Sequence, residues 1–211
     1  MSGEIALAVF DVDGVILDSH FGVVDALNEG FLNFRGQVIG YDWYQKNTLG
    51  SHRDFLLNQG VLEEDLGAFD GYIHELFAQA WRYKERPGIR SILSLLQQYG
   101  VLIHLASACS VEVTEAKISY HAGLRDFFAE IHGGEKKSAV FTELAERFQI
   151  PLDQIAFITD MERDLDEAVL AGLTKVVAIT SGFSTHSQLS RYNFPVVTHP
   201  EELIGAMRAW V

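Results

Sequence analysis

Apolar runs of strand length recur along one part of the chain, and helical spacing fills another. "IALAVF" (residues 5–10) is uninterrupted and apolar, the pattern of a strand buried on both faces. From about Asp18 to Tyr83 the period becomes three and four and no strong strand candidate appears. Leu66, Phe69, Ile73, Leu76, Phe77, Ala80 and Trp81 form the helical stripe. "SHRDFLLNQG" adds Ser51 with Asp54 three residues on, a capping-box spacing, and stops at Gly60. After "ERPG" a helix opens behind Pro87, carries Ile89, Ile92, Leu93 and Leu96 on one face, and closes at Gly100. Four apolar runs follow at 101–106, 127–132, 155–159 and 175–180, separated by helical stretches at 112–121, 137–148 and 164–171. "FPVVT" then leads into a last helix, "PEELIGAMRAW".

That alternation predicts the α/β class: a Rossmann-like parallel sheet core flanked by helices and built from βαβ units. The expected division is a core of residues 1–17 and 86–211 with an α-helical insert, residues 18–85, after the first strand. Hinges are expected near 15–19 and 83–88. No internal repeat or low-complexity segment interrupts this plan.

Composition narrows the partners. A chain of 211 residues that is 48 % hydrophobic and 21 % charged can bury a full core. Its net charge of -13 argues against nucleic acid and anionic membranes; an acidic substrate would need a metal or local cations to hold it. The single Cys109 excludes an internal disulfide and fits a reducing compartment. With no signal peptide or membrane span in the pattern, a soluble, cytoplasmic protein is expected. The eight histidines are scattered, without His-x-x-x-His or a His/Cys grouping, so a zinc site is not expected.

Open parallel sheets bind ligands beyond the carboxyl ends of their strands. Those ends carry Asp11 and Asp13, Ser107 and Ser110, and Asp160 and Asp164, while "GEKKS" brings Lys136 and Lys137 to the start of a helix. Each residue alone has a plain structural explanation: turn former, N-cap, small turn filler or solvated lysine. Turn formation, however, does not require four carboxylates and a lysine at successive strand ends. Facing carboxylates repel unless a cation lies among them, and oxygen-only ligands suit Mg²⁺. A carboxylate beside such an ion and a lysine can attack phosphorus. A second carboxylate two residues on can protonate the leaving oxygen and later activate water, while hydroxyl and ammonium donors hold the phosphoryl oxygens.

These residues resemble the haloacid dehalogenase superfamily of phosphohydrolases over almost the whole chain. The likeness is to the phosphoglycolate phosphatase and β-phosphoglucomutase branch with a helical cap. "DVDGVILDS" is close to the family's first motif, "VLIHLAS" is similar to the second, "KKSAVFTELAERFQI" to the third and "IAFITDMERDLDEAVLAGL" to the fourth. "VVAITSGF" is similar to the segment after the fifth strand in phosphoglycolate phosphatase-like members.

The resemblance implies that Asp11 is the nucleophile and Asp13 the general acid and base, whose backbone carbonyl also ligates Mg²⁺. It implies that Ser107, with Ala108 beside it, binds the phosphoryl group, which a motif lysine neutralises. Asp160 would complete the metal shell begun by Asp11 and Asp13, with Asp164 in support. Helix register against Phe141 and Leu144 favours Lys137, with Lys136 the alternative. Thr159 stands where the family usually has glycine, the proline common after the motif lysine is absent, and His20 replaces a common glutamate, to touch substrate or face solvent. In the insert, "TLGSHRDFLL" resembles the cap's specificity loop and makes Arg53 a candidate ligand for a remote phosphate or acid, ahead of His52. Trp43, Tyr44 and Tyr72 are candidates for a cap pocket or for the cap's own core.

The implied function is a Mg²⁺-dependent phosphatase acting on a small-molecule phosphate ester through an aspartyl phosphate, as a monomer or homodimer. A phosphomutase of the β-phosphoglucomutase type and a non-catalytic phosphate- or Mg²⁺-binding relative are the alternatives. Asp13 argues against a dehalogenase, which needs no acid there, and the insert argues against a phospho-accepting receiver domain.

Overall fold

The computed structural model describes residues 4–47, 52–180 and 183–211. The Ser51 cap and the "TLGS" part of the specificity loop lie outside the described residues, as do Ser181 and Gly182 of "VVAITSGF". The chain enters through β1 (Leu7–Phe10), turns, and forms a two-residue strand β2 (Leu17–Asp18). Helices α1 (His20–Asn33), α2 (Tyr41–Asn47), α3 (His52–Asn58) and α4 (Leu66–Phe77) follow, and β3 (Lys84–Glu85) brings the chain back. The remainder alternates: α5 (Ile89–Gln98), β4 (Leu102–Ser107), α6 (Val111–Ser119), β5 (Glu130–Gly133), α7 (Lys137–Phe148), β6 (Ile155–Thr159), α8 (Glu162–Ala171), β7 (Lys175–Ile179), α9 (His186–Leu189), β8 (Val196–Val197) and α10 (Pro200–Met207).

Six strands form one parallel sheet in the order β5-β4-β1-β6-β7-β8. The alternation of strand and helix in the sequence forces this outcome, because each crossover helix covers a face and leaves the strands apolar on both sides. Leu7 and Val9 pack with Val140, Phe141, Leu144, Leu165 and Ala168 on one face of β1. Ala8 and Phe10 pack with Ile92, Leu93, Leu96, Leu203 and Met207 on the other. Each fully buried aliphatic or phenyl group contributes roughly 1.5–3 kcal/mol. The strand order reverses beside β1, where Phe10 pairs with Leu105 on one side and Ile158 on the other. A crevice opens at the carboxyl end of such a reversal.

The third apolar run is shorter as a strand than its sequence suggests. Residues Arg125–Phe127 form a 3₁₀ turn and β5 begins at Glu130. Arg125 causes this: it pairs with Glu115 and donates to the Phe128 carbonyl at 2.5 Å, bending the chain before it joins the sheet.

Every described element between Asp18 and Lys84 is helical. The two connections to the sheet pair with each other, Leu17 opposite Glu85 and Asp18 opposite Lys84, in an antiparallel ribbon. A two-stranded ribbon is marginal by itself, and here Leu17 and Tyr83 are buried against the core. Gly22 lets α1 lie against the return strand: a Cβ there would stand 2.7 Å from the Arg82 carbonyl oxygen. Phe31, Phe34 and Phe69 pack ring on ring between α1 and α4, closing the insert's own core. No described helix is long and apolar enough to cross a membrane.

Candidate active site

The ends of β1, β4 and β6 meet at the strand reversal. Asp11 follows Phe10 directly and donates its backbone N–H to the Ile158 carbonyl at 2.9 Å. The chain then turns at Gly14, whose φ of 81° lies in the left-handed region that favours glycine. That turn aims Asp13 into the crevice and is fixed by Gly14 N–H donating to the Leu17 carbonyl at 2.8 Å and to Ser19 Oγ at 3.1 Å. Ser107 ends β4, is 3 % exposed, and accepts from the Cys109 N–H at 3.1 Å. Asp160, fully buried, follows β6.

The lysine alternative separates cleanly in space. Lys136 caps α7 from the exposed side. Lys137 is 5 % exposed, and its Nζ stands 2.9 Å from Asp11 Oδ1 and donates to Asp164 Oδ2. Thr159 orients that second carboxylate by donating to the same Asp164 oxygen at 3.0 Å. The residue in glycine's usual place thus takes up a polar task.

Asp11 and Asp164 share one ammonium inside a buried pocket. Burial comes first and Asp164 next in pushing the Asp11 carboxyl up to about 7, against the pull of Lys137. Burial also acts against Asp164, but Lys137 and then Arg163 hold its carboxyl below the usual range. Burial opposes the Lys137 charge as well, and the two carboxylates outweigh it. Lys137 serves both carboxylates and Arg163 stands 3.8 Å from Asp164 Oδ1, so Asp11 is the carboxylate left least compensated. A divalent cation would favour the ionised form of Asp11, and Asp11, Asp13 and Asp160 are the oxygen donors that could hold one.

This shortage has a sign in stability. Between about pH 4 and 7 the folded, metal-free protein binds a proton at Asp11 that the unfolded chain has released, so this group's stabilisation is lost as pH rises through that window. Denaturant melts in EDTA should show wild type losing stability relative to Asp11→Asn as pH rises from about 4 to 7. A constant difference between the two across that range would remove the reading.

Lys117 has no counterpart among the sequence-derived candidates. It is wholly buried on α6, and its Nζ reaches Asp13 Oδ2 at 2.7 Å and Oδ1 at 3.0 Å. The ammonium also lies 4.5 Å from the centre of the Tyr83 ring and 5.5 Å from that of Phe77. Burial works against its charge, but Asp13, Cys109 and Tyr83 together raise its pKa above the ordinary lysine range. A signal for it does exist in the sequence: Val113, Thr114, Lys117 and Ile118 share helical spacing, so this lysine stands on the buried stripe of α6.

A cavity of about 480 Å³ covers these groups. The sheet side contributes Asp11, Asp13, Ser107, Ala108, Cys109, Lys117 and Arg163. The insert contributes Tyr44, His52, Phe55, Asp70, Ile73, His74 and Phe77. Lys137, Asp160 and Asp164 are buried and outside this lining; Lys137 meets it through Asp11 and holds Asp164 behind.

Arg53 is not on the wall. It faces outward, half exposed, and donates to Glu63 at 2.5 Å, while His52 lines the cavity and meets Asp70 at 2.8 Å. Their positions on a single turn of α3 decide this, since consecutive helical residues point about 100° apart. Among the aromatic candidates Tyr44 reaches the cavity; Trp43 is exposed and Tyr72 donates to Glu29 at 3.0 Å. His20 neither faces solvent nor lines the cavity: it is buried between Phe21, Tyr41, Tyr44 and Phe183.

The chain resembles known proteins in sequence and in fold. A family model described as haloacid dehalogenase-like hydrolase matches residues 5–172. The bifunctional riboflavin kinase/FMN phosphatase of Arabidopsis thaliana is 32 % identical over 182 residues, covering 82 % of this chain and 48 % of that protein. The tyrosine-protein kinase PtkA of Mycobacterium tuberculosis is 26 % identical, over 92 % of this chain and 68 % of its own length. Among solved structures, one described as a predicted phosphatase from Clostridium acetobutylicum superposes with a TM-score of 0.83. It is 23 % identical and covers 98 % of this chain and 100 % of its own.

Proposed function

Because this chain belongs to the haloacid dehalogenase-like hydrolases, we propose that it is a Mg²⁺-dependent phosphatase working through an aspartyl phosphate. The observation that carries this reading is that Asp11, Asp13 and Ser107 line one cavity, with the Lys137 ammonium 2.9 Å from Asp11 Oδ1. Asp11, Asp13 and Asp160 would hold the cation, which supplies charge neutralisation at the phosphoryl oxygens. Asp11 attacks phosphorus, forming the P–Oδ bond as the bond to the ester oxygen breaks. Asp13 gives that oxygen a proton, then takes one from the water that releases phosphate from Asp11. Ser107 Oγ and the Lys137 ammonium hold the phosphoryl oxygens, and Lys117 is the positioning residue of Asp13.

The cavity walls bear on the substrate. Tyr44, Phe55, Ile73 and Phe77 favour a leaving group with an apolar or aromatic portion. The 480 Å³ volume accommodates a phosphate ester of nucleotide size, and the FMN phosphatase name of one relative suggests a flavin phosphate for the first assay. A mutase would have to hold a second phosphate against the insert. Among the described residues the insert's wall presents Asp70 and the histidines His52 and His74 but no Lys or Arg, with Arg53 committed to Glu63, so hydrolysis is the better-supported outcome. The single cysteine suits a reducing, cytoplasmic setting.

A phosphate-ester panel with Mg²⁺ should release inorganic phosphate. Recovery of an isomeric sugar phosphate with little inorganic phosphate would replace phosphatase by mutase. EDTA is expected to abolish turnover and Ca²⁺ to inhibit it, because larger, looser coordination misplaces the attacking carboxylate; full activity in EDTA would contradict the metal assignment. Lys137→Ala should lower kcat by roughly 10²-fold or more, as loss of a charge-stabilising donor does, while Lys136→Ala should stay within about twofold of wild type, since surface changes have small effects. Equal losses would remove Lys137 from this role.

A further inference from the structure

Away from the cavity, β4 and β5 bring together three donors that the sequence keeps apart. His104 lies opposite Glu130 in the parallel register, and His132, two residues on, points to the same face. His104 Nδ1 is 3.2 Å from His132 Nε2, and Glu130 Oε2 is 3.9 Å from the former and 3.8 Å from the latter. We propose that His104, Glu130 and His132 form a second metal site, for a Zn²⁺-class divalent ion, distinct from the phosphoryl site.

The triangle has the size such an ion needs. Metal–nitrogen bonds of about 2.05 Å at tetrahedral angles put ligand atoms about 3.3 Å apart. The imidazole edge already matches, and the two carboxylate edges require Glu130 to move inward by about half an ångström. Two imidazoles with one carboxylate select a borderline ion such as Zn²⁺, Co²⁺ or Ni²⁺ over Mg²⁺. The scattered histidine spacing that argued against zinc is overcome by strand register.

Both imidazoles are enclosed by the protein. His104 is 1 % exposed and His132 8 %. With His104 Nδ1 and His132 Nε2 facing each other at 3.2 Å, at least one of the two nitrogens presents a lone pair. Phe148, the last residue of α7, packs edge-on against His104 and closes one side of the cluster. Glu130 is partly exposed and gives an ion its way in.

Two features limit affinity. Arg147 donates to the same Glu130 oxygen that the metal would take. His104 Nε2 is buried with no hydrogen-bond partner, so coordination through Nδ1 leaves an unsatisfied N–H. Arg147 makes the test specific, because a true site competes with it. Bound here, the ion would tie β4, which ends in Ser107, to β5, which leads toward Lys137.

The test is Zn²⁺ titration of this 211-residue chain with Mg²⁺ in large excess, followed by calorimetry and by Tm, with the Co²⁺ visible spectrum reporting geometry. One equivalent is expected to bind wild type and Asp160→Asn alike, raise Tm, and give the intense bands of low-coordinate nitrogen-ligated Co²⁺. His132→Asn and Glu130→Gln should each weaken binding at least about tenfold, and Arg147→Ala should tighten it. His104→Gln should also weaken it; where that variant fails to fold, the other two carry the test. Unchanged affinity in His132→Asn, or weaker binding in Arg147→Ala, overturns the proposal. Loss of Zn²⁺ binding in Asp160→Asn also overturns it, by assigning the ion to the carboxylates.

Discussion

Asp11→Asn is expected to abolish phosphate release, with kcat falling by at least ~10⁴-fold, the order found when a covalent nucleophile is removed. The variant keeps the size and most hydrogen bonds of the side chain but cannot form the aspartyl phosphate. Stability should move the other way. Asp11 is 6 % exposed and shares Lys137 with Asp164. A neutral amide leaves the ammonium fully committed to Asp164 and removes a buried carboxylate. Tm in EDTA at neutral pH should therefore hold or rise. Steady-state kinetics and melting curves on the same preparations check both halves. Residual activity within tenfold of wild type would exclude Asp11 as nucleophile, and a large fall in Tm would show that the kinetic loss came from misfolding.

The second large effect concerns the pair Asp13 and Lys117, whose two ends should respond unequally. Asp13→Ala leaves the Lys117 ammonium, 0 % exposed, facing Tyr83 and Phe77 without its carboxylate. Removing one partner of such a pair costs about 3–5 kcal/mol; the 20 % exposure of Asp13 lets water offset part of that, so about 3 kcal/mol is expected. Lys117→Met places an apolar chain of similar length between the same rings and should change stability by less than about 1 kcal/mol. Turnover should still fall by roughly 10²-fold, because Asp13 loses the contact that orients it for proton transfer. The double variant should recover most of the stability lost in Asp13→Ala, a coupling read from a double-mutant cycle. Equal destabilisation by the two single changes, or a Lys117→Met enzyme with wild-type kcat, would sink this account.

How legible the site was depended on where each residue's information resides. Asp11, Asp13, Ser107 and Asp160 were readable because the α/β alternation locates strand ends, and parallel sheets bind ligands there. Helix register favoured Lys137 over Lys136, and the fold places Lys137 beneath Asp11 and Lys136 on the surface. Lys117 escaped notice because a lysine on an apolar helical stripe is read first as a solvated residue. Its burial is possible because Asp13, more than a hundred residues earlier, supplies the counter-charge. Arg53 and His52 show the same limit inside one helix. Sequence similarity favoured the arginine, and the side-chain directions put the histidine on the wall.

By itself the sequence determined the fold class, the helical character of the insert and the residues at the strand ends. Those rest on local periodicity and on the handed geometry of βαβ units, which act over a few residues at a time. Tertiary structure alone decided which charges share a partner. It put Lys137 between Asp11 and Asp164, Lys117 under Asp13, and His104 beside His132 across two strands. Pairings of that kind depend on strand register and on low-dielectric burial between distant segments, and neither is encoded in the spacing of residues along the chain.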